Sequence, residues 1–225
     1  MSIAQNISAF QEKLKNTGCR LIAVSKTQTN EAILEAYAAG QRLFGENKVQ
    51  ELVAKQEVLP ADIEWHLIGH LQTNKVKYIA PFVHTIQSVD SLKLLQEIEK
   101  QAAKHERQIN CLLQIYIAEE ESKFGLSAEE AKEILQSEEY KAMQHVRITG
   151  VMGIATNTYS QTQLRKEFQY LRKCFEELKT EFFRNNPDFK EISMGMSSDY
   201  QLAIEEGSTM IRVGSSIFGA RNYAN

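Results

Sequence analysis

Residues 20–45, RLIAVSKTQTNEAILEAYAAGQRLFG, contain the unit that decides the fold. An apolar run at 20–25 gives way to polar residues, and a helical pattern at 30–39 separates it from a second apolar run at 41–45. Both runs have the length of a buried strand. Strands joined in this way pair in parallel, because a parallel pair needs a long crossover and a helix supplies it. The stretch therefore predicts a β-α-β unit in a parallel sheet.

The same alternation continues along the chain. Strands are predicted at 20–25, 41–45, 64–69, 84–89, 110–118, 147–155, 191–196 and 210–214. Helices are predicted at 2–16, 30–39, 47–57, 73–80, 90–106, 127–137, 160–184 and 198–206. Eight such units predict an α/β fold, a single (β/α)8 TIM barrel, and the apolar strands fit burial on both faces. A doubly wound open sheet is the alternative, but it usually has fewer strands and its Gly-x-Gly-x-x-Gly fingerprint is missing.

Several predicted helices begin with residues that commonly occupy the first position of a helix. These residues are Asn30, Ser91, Ser127 and Ser160. Glu130 follows Ser127 by three positions, a spacing that predicts a capping box.

The composition predicts a soluble globular protein with one domain over residues 1–225. Apolar residues make up 43% and charged residues 24%, and the net charge of -3 predicts no basic face for nucleic acid. No apolar run approaches the roughly 20 residues that span a bilayer. The N-terminus carries no export signal, and the three cysteines form no Cys-x-x-Cys pair, so a reduced cytoplasmic protein is expected.

Lys26 directly follows the first predicted strand, at the barrel face that carries active sites. A lysine amine among apolar neighbours is desolvated, so its pKa falls and the neutral amine can attack an aldehyde to form a Schiff base. The alternative is an ordinary lysine with a buried stem and an ammonium group in water. The strand position alone leaves both alternatives open.

The ends of the seventh and eighth predicted strands carry glycine and serine, at residues 195–198 and 214–216. Backbone N–H groups and hydroxyls at the start of a helix bind phosphate monoesters, and barrels commonly hold phosphate at these two ends. The alternative is that Ser197, Ser198 and Asp199 only cap the helix at 198–206.

Two further features concern charge and metal binding. Arg212 lies within the last predicted strand, where it either points inward toward a ligand ring atom or outward toward a carboxylate on a helix. His66 and His70 are four residues apart, but Leu67 stands where a zinc protease has glutamate, and the segment is not a predicted helix. No metal site is therefore predicted.

Seven blocks of the chain together resemble a known family in their order and residues. The blocks are AVSKTQT (23–29), FGENKVQEL (44–52), WHLIGHLQTNK (65–75), ESKFGL (121–126), ITGVMGIA (148–155), SMGMSSD (193–199) and GSTMIRVGSSIFGAR (207–221). They resemble the pyridoxal phosphate homeostasis protein family over about residues 20–221. The resemblance implies a barrel like the alanine racemase N-terminal domain that carries pyridoxal 5′-phosphate (PLP). No C-terminal β-domain is expected, because the chain ends at Asn225.

The resemblance also implies roles for individual residues. Lys26 would form the Schiff base with PLP, Asn47 would lie beside the cofactor, and Arg212 would face the pyridine nitrogen and keep it unprotonated. The phosphate would be held by Ser197, Ser198, Gly214 and Ser215. The family often has threonine where this chain has Ser215, and serine retains the hydroxyl.

Three functions are compatible with these expectations. The resemblance implies a non-enzymatic carrier that buffers PLP and delivers it to PLP-dependent apoenzymes. A PLP-dependent amino-acid racemase is the alternative, but racemases of this fold add a C-terminal domain and dimerise. Two-base racemisation is therefore not expected, and the protein is expected to be a monomer. A Schiff-base aldolase is less favoured, because such enzymes generally place the lysine on a later strand. Lys123 matches a family lysine near the site, with no role predicted for it.

Overall fold

The computed structural model describes residues 2–119 and 124–219, which form a closed barrel of parallel strands in the order β1 to β8. The strands are β1 Arg20–Val24, β2 Leu43–Glu46, β3 Glu64–Leu67, β4 Thr85–Val89, β5 Ile109–Gln114, β6 Val146–Met152, β7 Glu191–Ser193 and β8 Met210–Val213. β1 pairs with both β2 and β8, which closes the sheet. The predicted (β/α)8 barrel is confirmed.

Helices connect the strands and return the chain to the same end of the barrel. They are α1 Ile3–Leu14, α2 Asn30–Ala38, α3 Val49–Gln56, α4 Val76–Ile79, α5 Leu92–Lys104, α6 Ala128–Gln136, α7 Glu138–Lys141, α8 Gln161–Phe182, α9 Tyr200–Glu205 and α10 Ser215–Phe218. All strands therefore present their carboxyl ends on one face. Within residues 2–119 and 124–219, no helix is both long and apolar enough to cross a membrane.

The side chains of β1 show how the barrel separates two layers. Leu21 and Ala23 belong to the hydrophobic core that the strands share with the helices. Between them, Ile22 lies next to Gly45 of β2, where an added Cβ would be 2.9 Å from the Ile22 Cγ2. Successive residues of a strand point to opposite faces, so Ile22 faces the barrel interior.

The predicted helix starts are mostly confirmed. Ser91, Ser127 and Ser160 each accept a hydrogen bond from a backbone N–H three residues later, and Ser127 with Glu130 forms the predicted capping box. The start at Asn30 was wrong by one residue, because the Thr29 hydroxyl accepts the capping bond of α2.

Other boundaries differ because burial and strand pairing are separate properties. The predicted strands at 110–118 and 147–155 were too long, since Ile117 and Ala155 stay buried after the chain has left the sheet. The predicted helix at 73–80 is a 3-10 turn followed by the four-residue α4. Helices as short as α7 and α10 contain too few residues to show a period, and neither was predicted.

Gly150 allows close contact between β6 and β7. It lies at a register shift of β6 against β5 and pairs with Glu191 of β7. A Cβ at this position would be 1.9 Å from the Glu191 carbonyl oxygen, closer than any real contact. Only glycine fits without movement of the β7 backbone.

Gly150→Ala is expected to lower the free energy of unfolding by about 3 kcal/mol, because the β7 backbone must move to admit the methyl group. Thermal unfolding measures the change. Gly18→Ala is the control, since Gly18 has φ 70° but no atom within 4 Å of an added Cβ, and about 1 kcal/mol is expected there. Equal losses for the two variants would contradict the close-contact argument.

Candidate functional site

A cavity of about 440 Å³ opens at the carboxyl ends of the strands. This volume lies within the range of small-molecule sites, about 300–1,000 Å³. Its described lining residues are Val24, Lys26, Asn47, Ile68, Ile154, Met196, Ser197, Ser198, Arg212, Gly214 and Ser215. The structure thus brings all the predicted cofactor-binding residues to one space.

The lining also has an apolar part that was not predicted from the sequence, which consists of Val24, Ile68, Ile154 and Met196. These residues lie just before or within the polar strand ends, and this position was the signal from which their place in the lining could have been predicted. Lys123, which was expected near the site, lies outside the described residues.

Lys26 occupies the second position of a turn at residues 25–28, here called the Lys26 turn. The Gln28 N–H donates to the Ser25 carbonyl oxygen at 3.0 Å. Thr27, at the third position, has φ 64°, where turns usually place glycine or asparagine. A left-handed β-branched residue costs on the order of 1–3 kcal/mol, so the surrounding contacts must hold this conformation. The partly buried Lys26 side chain lines the cavity from this turn.

Ser197 and Gly214 connect the ends of β7 and β8. The Gly214 N–H donates to the Ser197 hydroxyl at 3.3 Å. The expected alternative, a pure capping role, is wrong: α9 has no capping bond from a side chain, and Asp199 instead accepts a bond from the Met196 N–H at 2.6 Å. Ser198 and Ser215 are exposed beside this connection. Hydroxyls and N–H groups therefore gather at one side of the cavity, as phosphate binding requires.

Arg212 points into the barrel, which is the inward alternative left open by the sequence. The residue is 5% exposed. Its Nη1 donates to the Ser193 hydroxyl at 2.7 Å and its Nη2 donates to the Gly153 carbonyl oxygen at 2.8 Å. Burial lowers the pKa of Arg212 to about 10, while the charge of Asp199 acts in the opposite direction. The guanidinium therefore remains charged at neutral pH.

A chain of hydrogen bonds leads from Arg212 through the barrel interior. A guanidinium can only donate, so Ser193 accepts from Arg212 and donates its own hydrogen to the Gln87 Oε1 at 2.6 Å. The Gln87 Nε2 then donates to the His66 Nδ1 at 2.9 Å. This polarity places the imidazole proton of His66 on Nε2. Burial lowers the pKa of His66 to about 3, so the ring is neutral at pH 7.

A cluster at the opposite end of the barrel has the residue types of a metal site. Glu64, His66 and His84 bring one ligand atom each within 4.8 Å of one another. The protonated Nε2 of His66 offers a hydrogen rather than a lone pair, so the cluster does not favour metal binding. His70 is not part of it, since it bonds with Asp90 at 3.1 Å and stacks on Phe124.

Comparisons with known proteins give the family. Residues 1–222 match the family described as alanine racemase, N-terminal domain. The pyridoxal phosphate homeostasis protein of Haemophilus influenzae is 37% identical over 237 residues, covering 100% of this chain and 98% of that protein. The protein of the same name from Aquifex aeolicus is 40% identical, covering 91% and 88%. The chain belongs to the pyridoxal phosphate homeostasis protein family.

Solved structures agree with this membership in the homeostasis protein family. PipY of Synechococcus elongatus PCC7942 without PLP aligns with a TM-score of 0.88 and 38% identity, covering 97% of this chain and all 100% of PipY. PipY with PLP bound aligns with a TM-score of 0.86 and 37% identity, with the same coverage. Alanine racemase from Bartonella henselae aligns with a TM-score of 0.74 at 15% identity, covering 98% of this chain and 63% of that chain, so that likeness shows the fold alone.

In this homeostasis family member, Ser193→Ala is expected to lower the free energy of unfolding by about 1–3 kcal/mol, because it leaves buried groups of Arg212 and Gln87 unpaired. Urea unfolding measures the loss. Ser88→Ala is the matched control, since the buried Ser88 hydroxyl has no partner among the described residues. A loss at Ser88 as large as that at Ser193 would argue against the chain of bonds.

The neutral, buried His66 is expected to make the stability of this protein depend on pH. Its pKa is about 3 in the folded protein and about 6.5 when unfolded, so the unfolded state binds more protons between these values. Stability from this group is fully present above pH 6.5 and is lost as the pH falls toward 3.

The free energy of unfolding should thus fall by about 2 kcal/mol from pH 7 to pH 5 through His66 alone. Urea unfolding at both pH values measures it. His66→Gln should remove this part of the pH dependence, whereas substitution of the exposed His105 by glutamine should retain it. An unchanged pH dependence in His66→Gln would contradict the assignment.

Proposed function

We propose that this protein binds PLP and takes part in intracellular PLP homeostasis, holding the cofactor as a Schiff base on Lys26 and buffering or delivering it. The cavity is the observation that carries the proposal, because an amine, a buried guanidinium and two hydroxyl-bearing strand ends share one space of small-molecule size. Relatives named pyridoxal phosphate homeostasis protein, and the PipY structure with PLP bound, support the same ligand.

The chemistry of the lining residues fits each part of PLP. The Lys26 amine is the nucleophile for the aldehyde. The phosphate would be held at the connection between β7 and β8 by Ser197, Ser198, Gly214 and Ser215. Asn47 and the apolar lining residues would contact the ring. When bound, PLP supplies a reactive aldehyde and an electron-withdrawing ring.

Arg212 determines how strongly that ring can withdraw electrons. Its guanidinium stays charged and only donates hydrogen bonds, so next to the ring nitrogen it would keep that nitrogen unprotonated. An unprotonated ring is a weaker electron sink than one paired with a carboxylate. Ser193 and the Gly153 carbonyl hold the guanidinium in place. A weaker electron sink would stabilise a carbanion at the α-carbon of an amino acid less.

A PLP-dependent amino-acid racemase is the second candidate, because the matching family is that of the alanine racemase N-terminal domain. Two-base racemisation needs a proton-transferring group on each face of the substrate. Among the described residues that line the cavity, only Lys26 and Arg212 are titratable, and Arg212 stays charged. We therefore propose that the protein is a carrier and not an enzyme. We extend it to one PLP-binding domain over residues 1–225 that acts as a cytoplasmic monomer and supplies PLP-dependent apoenzymes.

Borohydride reduction of the protein with PLP is expected to attach one cofactor to Lys26, because reduction makes the covalent bond permanent. Peptide mass spectrometry identifies the modified residue. Lys26→Ala should abolish the adduct and change the free energy of unfolding by less than about 1 kcal/mol, since the side chain is partly exposed. Lys15→Ala is the control, because Lys15 is exposed at the end of α1, and it should react as the unchanged protein does.

Two results would overturn the proposal. A protein with no adduct and no affinity for PLP would contradict cofactor binding itself. Racemisation of L-alanine by the loaded protein at ordinary enzyme rates, about 1–10³ s⁻¹, would contradict the carrier function and favour the racemase. Chiral chromatography measures this rate.

A further inference from the structure

Three charged residues lie behind the Lys26 turn and form what is here called the charged clamp: Glu46, Glu51 and Lys55. Glu46 ends β2 and is 0% exposed, and Lys55 of α3 is 5% exposed. The Lys55 Nζ donates to the Glu46 Oε1 at 2.8 Å and to the Glu51 Oε1 at 2.6 Å. Burial raises the pKa of Glu46, and the charge of Lys55 opposes that shift.

The charged clamp holds the Lys26 turn on both sides of the lysine. Before it, the Ser25 carbonyl oxygen accepts a hydrogen bond from the Lys55 Nζ at 2.7 Å, and the Ser25 hydroxyl donates to the Glu46 Oε1 at 2.6 Å. After it, the Thr27 N–H donates to the Glu51 Oε1 at 2.5 Å. Thr27 is the residue with the left-handed backbone, so Glu51 binds the turn where it is least favourable by itself.

A purely stabilising role explains the charged clamp poorly. The cost of desolvating two charges commonly offsets the attraction between them, and apolar residues of similar volume are often as good or better. The Glu46 Oε2 is buried with no partner among the described residues, which adds to that cost. The hydrogen bonds from the charged clamp to the backbone go to Ser25 and Thr27, the two neighbours of Lys26.

We propose that Glu51 and Lys55, supported by Glu46, are positioning residues for Lys26. The inference rests on the proposed function. Schiff-base formation joins the Lys26 nitrogen to the aldehyde carbon of PLP and releases one water, with no oxidant or reductant. The charged clamp sets the backbone from which the amine reaches that carbon, and misplacement by about 1 Å can cost a factor of 10² in rate.

This role separates covalent capture from simple binding. Phosphate would be held at the ends of β7 and β8, and among the described residues none of the hydrogen bonds of the charged clamp reaches those strands. A substitution in the charged clamp should therefore slow the reaction of Lys26 with the aldehyde, while the phosphate and ring of the cofactor still bind. Pyridoxine 5′-phosphate, which has an alcohol in place of the aldehyde, reports binding without the covalent step.

Glu51→Ala is expected to slow covalent capture of PLP by about tenfold to a hundredfold, because Thr27 loses its acceptor. Stopped-flow absorbance and borohydride trapping measure capture, and calorimetry measures the affinity for pyridoxine 5′-phosphate, which should not change. The Glu51 side chain is 24% exposed, so its removal should leave a folded protein. Glu57→Ala is the matched control, since Glu57 is an exposed glutamate at the end of the same helix, and it should capture PLP normally.

Thr27→Gly tests the positioning role by rescue. Glycine adopts positive φ without strain, so the turn should keep its shape without Glu51. The double variant Thr27→Gly with Glu51→Ala should recover most of the lost capture rate. A second double variant, Glu46→Gln with Lys55→Met, removes both buried charges and leaves only the partly exposed Glu51 charged. It should also slow capture, because the Ser25 carbonyl oxygen loses its hydrogen bond from Lys55.

The outcomes separate this inference from the proposed function. Normal capture of PLP by Glu51→Ala would overturn the positioning role of the charged clamp and would leave the proposal of PLP binding intact. A loss of pyridoxine 5′-phosphate affinity equal to the loss in capture, with no rescue by Thr27→Gly, would also overturn it, because the residues would then be merely structural. An unchanged protein that forms no adduct on Lys26 would contradict the proposed function, and the inference would fail with it.

Discussion

The pairing of β1 with β8 closes the barrel, and the candidate site depends on that closure. Ile22 pairs with Arg212 and Ala23 pairs with Val213, so the first and last strands lie side by side although they are far apart in the chain. Because both strands run in the same direction, Lys26 and Gly214 emerge next to each other at the same face. An open sheet with the same elements would separate the amine from the glycine and serine residues that follow β7 and β8.

Inside the closed barrel, polar groups occupy positions that would otherwise add apolar contacts. Arg212, Ser193, Gln87 and His66 form one chain of hydrogen bonds, and its donors and acceptors have a single consistent direction. Glu46 and Lys55 form another buried polar group beside β1. Such groups cost free energy unless they are paired. Of these residues, Arg212 lines the cavity, and its bond to Ser193 links it to the rest of the chain of hydrogen bonds. The hydrophobic core shared with the helices holds the fold, while the interior orients Arg212.

Much of the architecture could be predicted because its signals are local. Serine caps, the capping box at Ser127 and Glu130, and alternating strand and helix patterns depend on residues close in sequence. Strand ends were less accurate, because residues such as Ile117 stay apolar in buried loops after the pairing has ended. The charged clamp was missed although Glu51 and Lys55 are four residues apart on α3, since that spacing also occurs on exposed helices. Nothing local distinguishes a buried pair from a surface pair.

The sequence by itself determined the fold class, the alternation of elements and the residue types at the strand ends, because periodicity and chemistry are properties of the chain. The family resemblance extended this to Lys26, Asn47 and the serines, each of which lines the cavity. Only the tertiary structure decided that Arg212 points inward, that Ser197 bonds Gly214 instead of capping α9, and that His66 carries its proton on Nε2. These facts depend on which distant strands become neighbours, and that follows from the closure of the barrel and not from any short stretch of sequence.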